Sequence, residues 1–202
     1  LVPDARPETP VWAYNASVPG RLIEAKQGDR LEIDFGNGLS DPSTVHWHGI
    51  RIANAMDGVP FLTQEPVAPG RRFRYAFDVP DAGTYWYHPH LGTPEQVGRG
   101  LYGALIVHEP DPPAVDRDLV WMVDDWRLDG QARIVDDFYD WSDVAFAGRV
   151  GNTVTINGRE HHEEAVARGD RIRLRRVNAA NARMVALHFG SLPAWIIALD
   201  GH

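Results

Sequence analysis

Apolar and polar residues alternate with a period of two through the first half of the chain. Between residues 30 and 35, Leu31, Ile33 and Phe35 alternate with Arg30, Glu32 and Asp34, the pattern of a strand with one buried face. Phe73, Tyr75, Phe77 and Val79 repeat it against Arg72, Arg74, Ala76 and Asp78. Shorter apolar runs bounded by Gly, Pro, Asn and Asp predict strands over residues 12–15, 22–25, 44–50, 84–88 and 103–108. Residues 1–10 read as an extended arm, 53–70 as a loop and 94–100 as a helical turn. Residues 109–113, Glu-Pro-Asp-Pro-Pro, read as a linker. A second unit follows, with strands predicted over 118–123, 153–156 and 171–177. Ile134, Phe138 and Trp141, at i, i+4 and i+7, predict a short helix within 132–147. The pattern as a whole is all-β.

Composition narrows the picture. The 202 residues, 44% of them hydrophobic, suffice for two modest domains or one large sandwich. The 19 glycines and 15 prolines agree with many turns between short strands. A net charge of −8 argues against a nucleic-acid partner. No apolar run approaches the roughly 18 residues of a membrane span. Leu1-Val2-Pro3-Asp4 lacks the basic and apolar regions of a signal peptide. Cysteine is absent, which excludes disulfides, thiolate metal sites and a Cys nucleophile and leaves His, carboxylate, Met or backbone to hold any metal.

The chain also resembles itself. Gly28-Asp29-Arg30-Leu31 and Ile33 match Gly169-Asp170-Arg171-Ile172 and Leu174 at an offset of 141, which also carries Asn37 to Asn178 and Gly49 to Gly190. At that offset Leu187 and Phe189 stand where the first copy has His46 and His48, and His202 falls at Phe61. The second copy is therefore expected to lack these histidines, to stop near the middle of its fold, and to leave an apolar face and strand edges uncovered.

Candidate chemistry gathers at two His-X-His pairs, His46-Trp47-His48-Gly49 and His88-Pro89-His90. Residues two apart on a strand share a face, with Cα atoms about 7 Å apart. Each pair thus presents two imidazoles too far apart to chelate one ion tightly but placed to serve neighbouring ions. Neutral imidazole suits copper, zinc, nickel or iron. Pro89 cannot donate to a ladder, which puts the second pair at a strand end or edge. Asp57 is a candidate for orienting a ligand or moving protons. His161-His162 beside Glu163-Glu164 reads as a solvated loop, and His108, His188 and His202 as structural or exposed. Trp86, Tyr85 and Tyr87 read as core and pocket wall, and Met56 and Met184 are isolated.

The segments 44–50 (Thr-Val-His-Trp-His-Gly-Ile) and 83–90 (Gly-Thr-Tyr-Trp-Tyr-His-Pro-His) resemble the first two copper motifs of multicopper oxidases of the laccase and bacterial cuprous-oxidase type. Val18-Pro19-Gly20, Asp57-Gly58, Pro69-Gly70, Asp124-Asp125-Trp126 and the runs at 100–107 and 154–158 are similar to the family as well. The resemblance implies a cupredoxin-like Greek-key β-sandwich followed by a second, incomplete cupredoxin-like domain. It implies a first domain over residues 1–112, carrying half of the trinuclear copper ligands, and the front part of a second over 113–202, without copper ligands. It implies that His46 binds a type 2 copper and that His48, His88 and His90 bind the type 3 pair. Asp57 corresponds to the family's acidic residue that assists proton delivery. Such enzymes couple one-electron oxidation of a reductant (phenol, amine or Cu(I)) to four-electron reduction of O2 to water.

One departure from the family pattern is large. Four further His ligands and the Cys of a type 1 copper site are missing from this sequence. The expectation is the amino-terminal part of such an oxidase, inactive and binding copper weakly by itself. A carboxy-terminal cupredoxin part or another chain would complete the cluster, and the location expected from the resemblance is periplasmic or secreted. A non-enzymatic copper-binding cupredoxin module and a zinc protein with hydrolytic His ligands are the alternatives.

Overall fold

The computed structural model describes residues 8–199. The arm expected over residues 1–10 falls mostly outside them, and His202 wholly so. Six strands form the first half: β1 (Gly20–Lys26), β2 (Arg30–Gly36), β3 (His46–His48), β4 (Arg72–Asp78), β5 (Gly83–His88) and β6 (Gly103–His108). They make a four-stranded sheet, ordered β1-β6-β5-β3, and a two-stranded sheet of β2 and β4. The alternating segments pair as their pattern requires. Leu31, Ile33 and Phe35 lie opposite Phe77, Tyr75 and Phe73, and these side chains pack against the core between the sheets. Arg30 and Glu32 stay outside and pair with Asp78 and Arg74.

Trp47, Tyr75, Phe77, Tyr85, Tyr87, Leu105 and Val107 fill the space between the two sheets. Full burial of side chains this large contributes roughly 1.5–3 kcal/mol each. Tyr87 runs across β6 to donate to the Arg21 carbonyl at 2.7 Å. Gly103 makes room for it, since a Cβ there would lie 2.3 Å from the ring.

The second half supplies β7 (Arg117–Trp126), β8 (Thr153–Ile156) and β9 (Ile172–Asn178), in a three-stranded sheet ordered β8-β7-β9. Met122, Trp126, Val177 and Ala179 from this half pack with Val97, Tyr102 and Ala104, and Trp86 lies alongside. Every residue of β6 but its last is buried, because Leu105 and Val107 face one core and Ala104 the other. A polar clasp crosses the same joint. Arg175 grips Asp118 through two hydrogen bonds of 2.8 and 2.9 Å and donates to Thr84 of β5 at 2.9 Å.

Three expectations need correction. Residues 12–15 form no strand; Tyr14 bridges to Ser17 in a local turn. The strand expected over 44–50 shortens to His46–His48, because Gly49 turns into the left-handed region (φ +86°) and Ser43 pairs instead with Val67. The helix expected within 132–147 is reduced to α2 (Trp141–Ala145), capped by Asp140. Ile134, Phe138 and Trp141 do not share a helix face. Ile134 bridges to Leu128, Phe138 lies beneath the Arg99 and Arg149 guanidiniums, and Trp141 is 71% exposed. The turn predicted over 94–100 appears as α1 (Thr93–Gly98).

The internal repeat aligns β2 with β9, but their pairing differs. β2 runs antiparallel to β4, and β9 runs parallel to β7. The counterpart of the His46 strand, around Leu187 and Phe189, carries no regular structure. Between residues 117 and 199 there is one sheet, and Met184, Leu192, Trp195, Ile196, Ile197 and Leu199 are exposed. No helix among the described residues is long and apolar enough to cross a membrane.

Candidate metal centre

Cross-strand register brings the two His pairs together. β3 and β5 are antiparallel, with His46 opposite His88, Trp47 opposite Tyr87 and His48 opposite Trp86. Alternation sends Trp47, Tyr85 and Tyr87 into the core and leaves His46, His48, Trp86 and His88 on the other face. The ring nitrogens of His46, His48 and His88 include one from each residue that all lie within 4.8 Å of one another. His90, just past the end of β5, is one step further out. Its ring centroid stands 5.1 Å from that of His46 and 6.3 Å from that of His88.

Each ring has a defined setting. His88 is 5% exposed. Its Nδ1–H donates to the Pro89 carbonyl at 2.9 Å, which leaves the lone pair on Nε2, the nitrogen that faces His48. Burial pushes its pKa down to about 3, with the neighbouring imidazoles adding to the shift and the Pro89 carbonyl opposing it. His88 is therefore neutral at pH 7, the form in which an imidazole binds metal. Trp86 stacks on it, with centroids 4.1 Å apart, and also flanks His48 at 5.1 Å. His46 Nδ1–H donates to the main-chain carbonyl of Asp57 at 2.7 Å, and one Asp57 carboxylate oxygen lies 3.4 Å from the same nitrogen. Nε2 of His46 is thereby the ring nitrogen left for a ligand.

The donor set fits a metal ion. His48 Nδ1 and His88 Nε2 are 3.2 Å apart. Two imidazole nitrogens each roughly 2.0–2.1 Å from one ion stand about 3 Å apart, so the spacing of this pair matches that of two ligands to one ion. The set is all nitrogen, which suits copper or zinc.

Asp57 reaches His46 through a close backbone approach. It follows a single 3-10 turn, Asn54–Met56. The next residue, Gly58, has φ +76° and lies so near β3 that a Cβ would sit 1.8 Å from the Val45 carbonyl oxygen. Among the described residues, the other histidines stay apart from this centre. His162 binds Glu164 at 2.9 Å and packs on Trp121, His108 pairs with Glu24 at 3.0 Å, and His188 is exposed. Met56 Sδ accepts from the Ala76 amide at 3.3 Å.

Several supporting contacts are invisible to motif reading. Thr44 is fully buried and its hydroxyl accepts from the His90 amide at 3.2 Å. Thr93 donates to the Pro89 carbonyl that His88 also uses, at 3.2 Å. Gln96 of α1 accepts from Ser43 at 2.7 Å and donates to the Pro42 carbonyl at 2.9 Å. Thr44 does stand two residues before His46 and so shares its face, but its partner depends on strand register.

Comparison with known proteins decides the family. Residues 1–112 match the family model described as multicopper oxidase. The chain belongs to the multicopper oxidase family. Its all-β, cupredoxin-like fold agrees with solved relatives. A multi-copper oxidase from Pseudomonas thermotolerans superposes with a TM-score of 0.78 at 36% identity, over 87% of this chain and 42% of that one. Multicopper oxidase MmcO of Mycobacterium tuberculosis is 44% identical over 56% of this chain and 22% of its own length. Laccase-1 of Cryptococcus neoformans var. neoformans is 31% identical over 96% of this chain and 35% of its own. This multicopper oxidase chain thus spans about a third or less of the length of these two curated relatives. Family membership implies copper as the metal for the imidazole cluster.

Proposed function

We propose that the chain supplies one wall of a trinuclear copper centre in an oxidase that reduces O2 to water at the expense of a phenol, an amine or Cu(I). The observation that carries this reading is the pair of ring nitrogens, His48 Nδ1 and His88 Nε2, held 3.2 Å apart on adjacent strands. His48 and His88 would hold one type 3 copper, His90 the other, and His46 the type 2 copper. Bound copper supplies one-electron redox chemistry and the centre at which oxygen is reduced.

The chain's own groups have distinct tasks in this reading. The Pro89 carbonyl holds His88 in the tautomer that exposes Nε2. The Asp57 carbonyl does the same for His46. One Asp57 carboxylate oxygen lies 3.4 Å from that imidazole and the side chain is 31% exposed, so the group would be placed to pass a proton inward from water. Trp86 stacks on the buried His88 ring and limits water there, while it only flanks the exposed His48.

The remaining ligands and the type 1 copper site would come from a carboxy-terminal cupredoxin part or from another chain. The exposed apolar residues between 184 and 199 support an additional packing partner for the second unit. Residues 1–112 and 113–202 are read as the first domain and the front of the second, in a periplasmic or secreted enzyme.

Copper titration followed by electron paramagnetic resonance and a phenolic-dye assay tests the reading. Expected are weak Cu(II) binding that falls on His48→Ala or His88→Ala, no absorption band near 600 nm of the blue type 1 kind, and no dye oxidation by the chain alone. Turnover by the isolated chain with added copper, or Cu(II) binding indifferent to both substitutions, refutes it.

A further inference from the structure

The β3–β5 ladder ends at His46 opposite His88, inside the second His pair, and His90 lies beyond it. Extended beyond its last pair, the same register would set Val45 against Pro89 and Thr44 against His90. At the first of these positions no main-chain bond joins the two segments. Proline has no N–H, and the Val45 amide donates to the Tyr75 hydroxyl at 2.9 Å. At the second, the His90 amide donates to a side chain, the Thr44 hydroxyl, at 3.2 Å.

Thr44 is a firm anchor for that bond. It is fully buried, and the residues before it are held from two sides. Ser43 exchanges two main-chain hydrogen bonds with Val67, at 3.1 and 2.8 Å. Its hydroxyl donates to Gln96 at 2.7 Å, while Gln96 donates to the Pro42 carbonyl at 2.9 Å. The anchor is thus fixed both to the loop before β4 and to α1. His90 hangs from it beyond the end of β5, with its ring 5.1 Å from that of His46.

We propose that Thr44 is a positioning residue for the metal centre: its hydroxyl accepts the His90 amide just beyond the end of the β3–β5 ladder and sets His90 against His46. The role rests on reading His90 as a ligand. It predicts an effect of Thr44 that acts through His90 alone. Partners behind a metal ligand typically contribute about 10–100-fold to affinity, and this bond holds the backbone of the ligand rather than its ring, so the lower end applies.

The test is a double-mutant cycle on the chain, with Cu(II) affinity measured by competition against a chromophoric chelator and thermal unfolding recorded for every variant. Thr44→Val should weaken Cu(II) binding about 10-fold when His90 is present. In the His90→Ala background the same change should move affinity by less than about twofold. Thr44→Ser, which keeps the hydroxyl, should bind like the unsubstituted chain, and amide exchange at His90 should quicken in Thr44→Val but not in Thr44→Ser. Should Thr44→Val fail to fold, Thr44→Ala against Thr44→Ser carries the same comparison. An unchanged affinity in Thr44→Val, a loss that persists without His90, or a Thr44→Ser variant as weak as the variants lacking the hydroxyl overturns the positioning role. Copper affinity unaltered by His90→Ala removes His90 from the ligand set, and with it both that part of the functional reading and this proposal.

Discussion

Gly58 permits the closest backbone approach at the metal centre, and substituting it separates conformational cost from contact cost. Gly58 and Gly70 both have left-handed backbones, with φ +76° and +72°. Alanine at Gly70 would meet no atom within 4 Å, so Gly70→Ala should cost only the left-handed penalty, about 1–2 kcal/mol. Alanine at Gly58 pays the same penalty and also puts its Cβ 1.8 Å from the Val45 carbonyl oxygen, where real contacts begin near 3.0 Å. Relief requires the loop to move away from β3 by roughly 1.2 Å. A shift of that size takes the Asp57 carbonyl out of reach of His46 Nδ1, now at 2.7 Å. The lost hydrogen bond adds about 1 kcal/mol, and residual overlap about 1–3 kcal/mol more. Urea unfolding should therefore show Gly58→Ala destabilised by about 2–4 kcal/mol beyond Gly70→Ala. Cu(II) affinity should fall in Gly58→Ala and stay unchanged in Gly70→Ala. Equal stability losses, or an unaltered copper affinity in Gly58→Ala, would show that the Asp57 loop does not hold His46.

Three further outcomes are expected. Asp124 is buried at the joint between the two halves with its carboxyl facing the Tyr102 hydroxyl, and burial holds its pKa well above the usual range. A raised folded-state pKa means that its contribution to stability is complete below the unfolded value of about 3.9 and is lost as pH rises through the folded value. Asp124→Asn should then be more stable than the unsubstituted chain at pH 7 to 8, with a flatter pH dependence by thermal unfolding; a less stable variant at pH 8 contradicts this. Arg175→Ala leaves Asp118 and Thr84 without their shared donor and, with the Asp118 side chain about one-third exposed, should cost about 2–3 kcal/mol in urea unfolding. A loss below 0.5 kcal/mol would rank it with surface pairs. The stacking of Trp86 on His88 at 4.1 Å makes its indole the one most sensitive to bound Cu(II). Fluorescence quenching on copper addition should shrink in Trp86→Phe, and undiminished quenching would place the ion elsewhere.

Much of the architecture was legible in the order of residues, because strand alternation and His-X-His spacing are local properties. The alternating runs around Ile33 and Tyr75 became paired strands with inward-facing apolar rows. The spacing of His46 with His48, and the motif resemblance around His88, pointed to the metal centre and to the family. Local signals failed where tertiary packing assigned apolar residues to different surroundings. Ile134 and Phe138 had the spacing of a helix, yet one joins a bridge and the other lies beneath two guanidiniums.

What only the tertiary structure decided is how the motifs meet. The residues alone determined that two pairs of imidazoles exist, that none of these 202 residues is a cysteine, and that Pro89 cannot donate to a ladder. They could not determine that His46 lies opposite His88, that His48 Nδ1 and His88 Nε2 stand 3.2 Å apart, or that Thr44 catches the His90 amide. The physical reason is register. It is set by contacts between residues some forty apart in the chain and by the packing of Trp47 and Tyr87 into a common core. A slip of one residue would turn every histidine to the other face of the sheet.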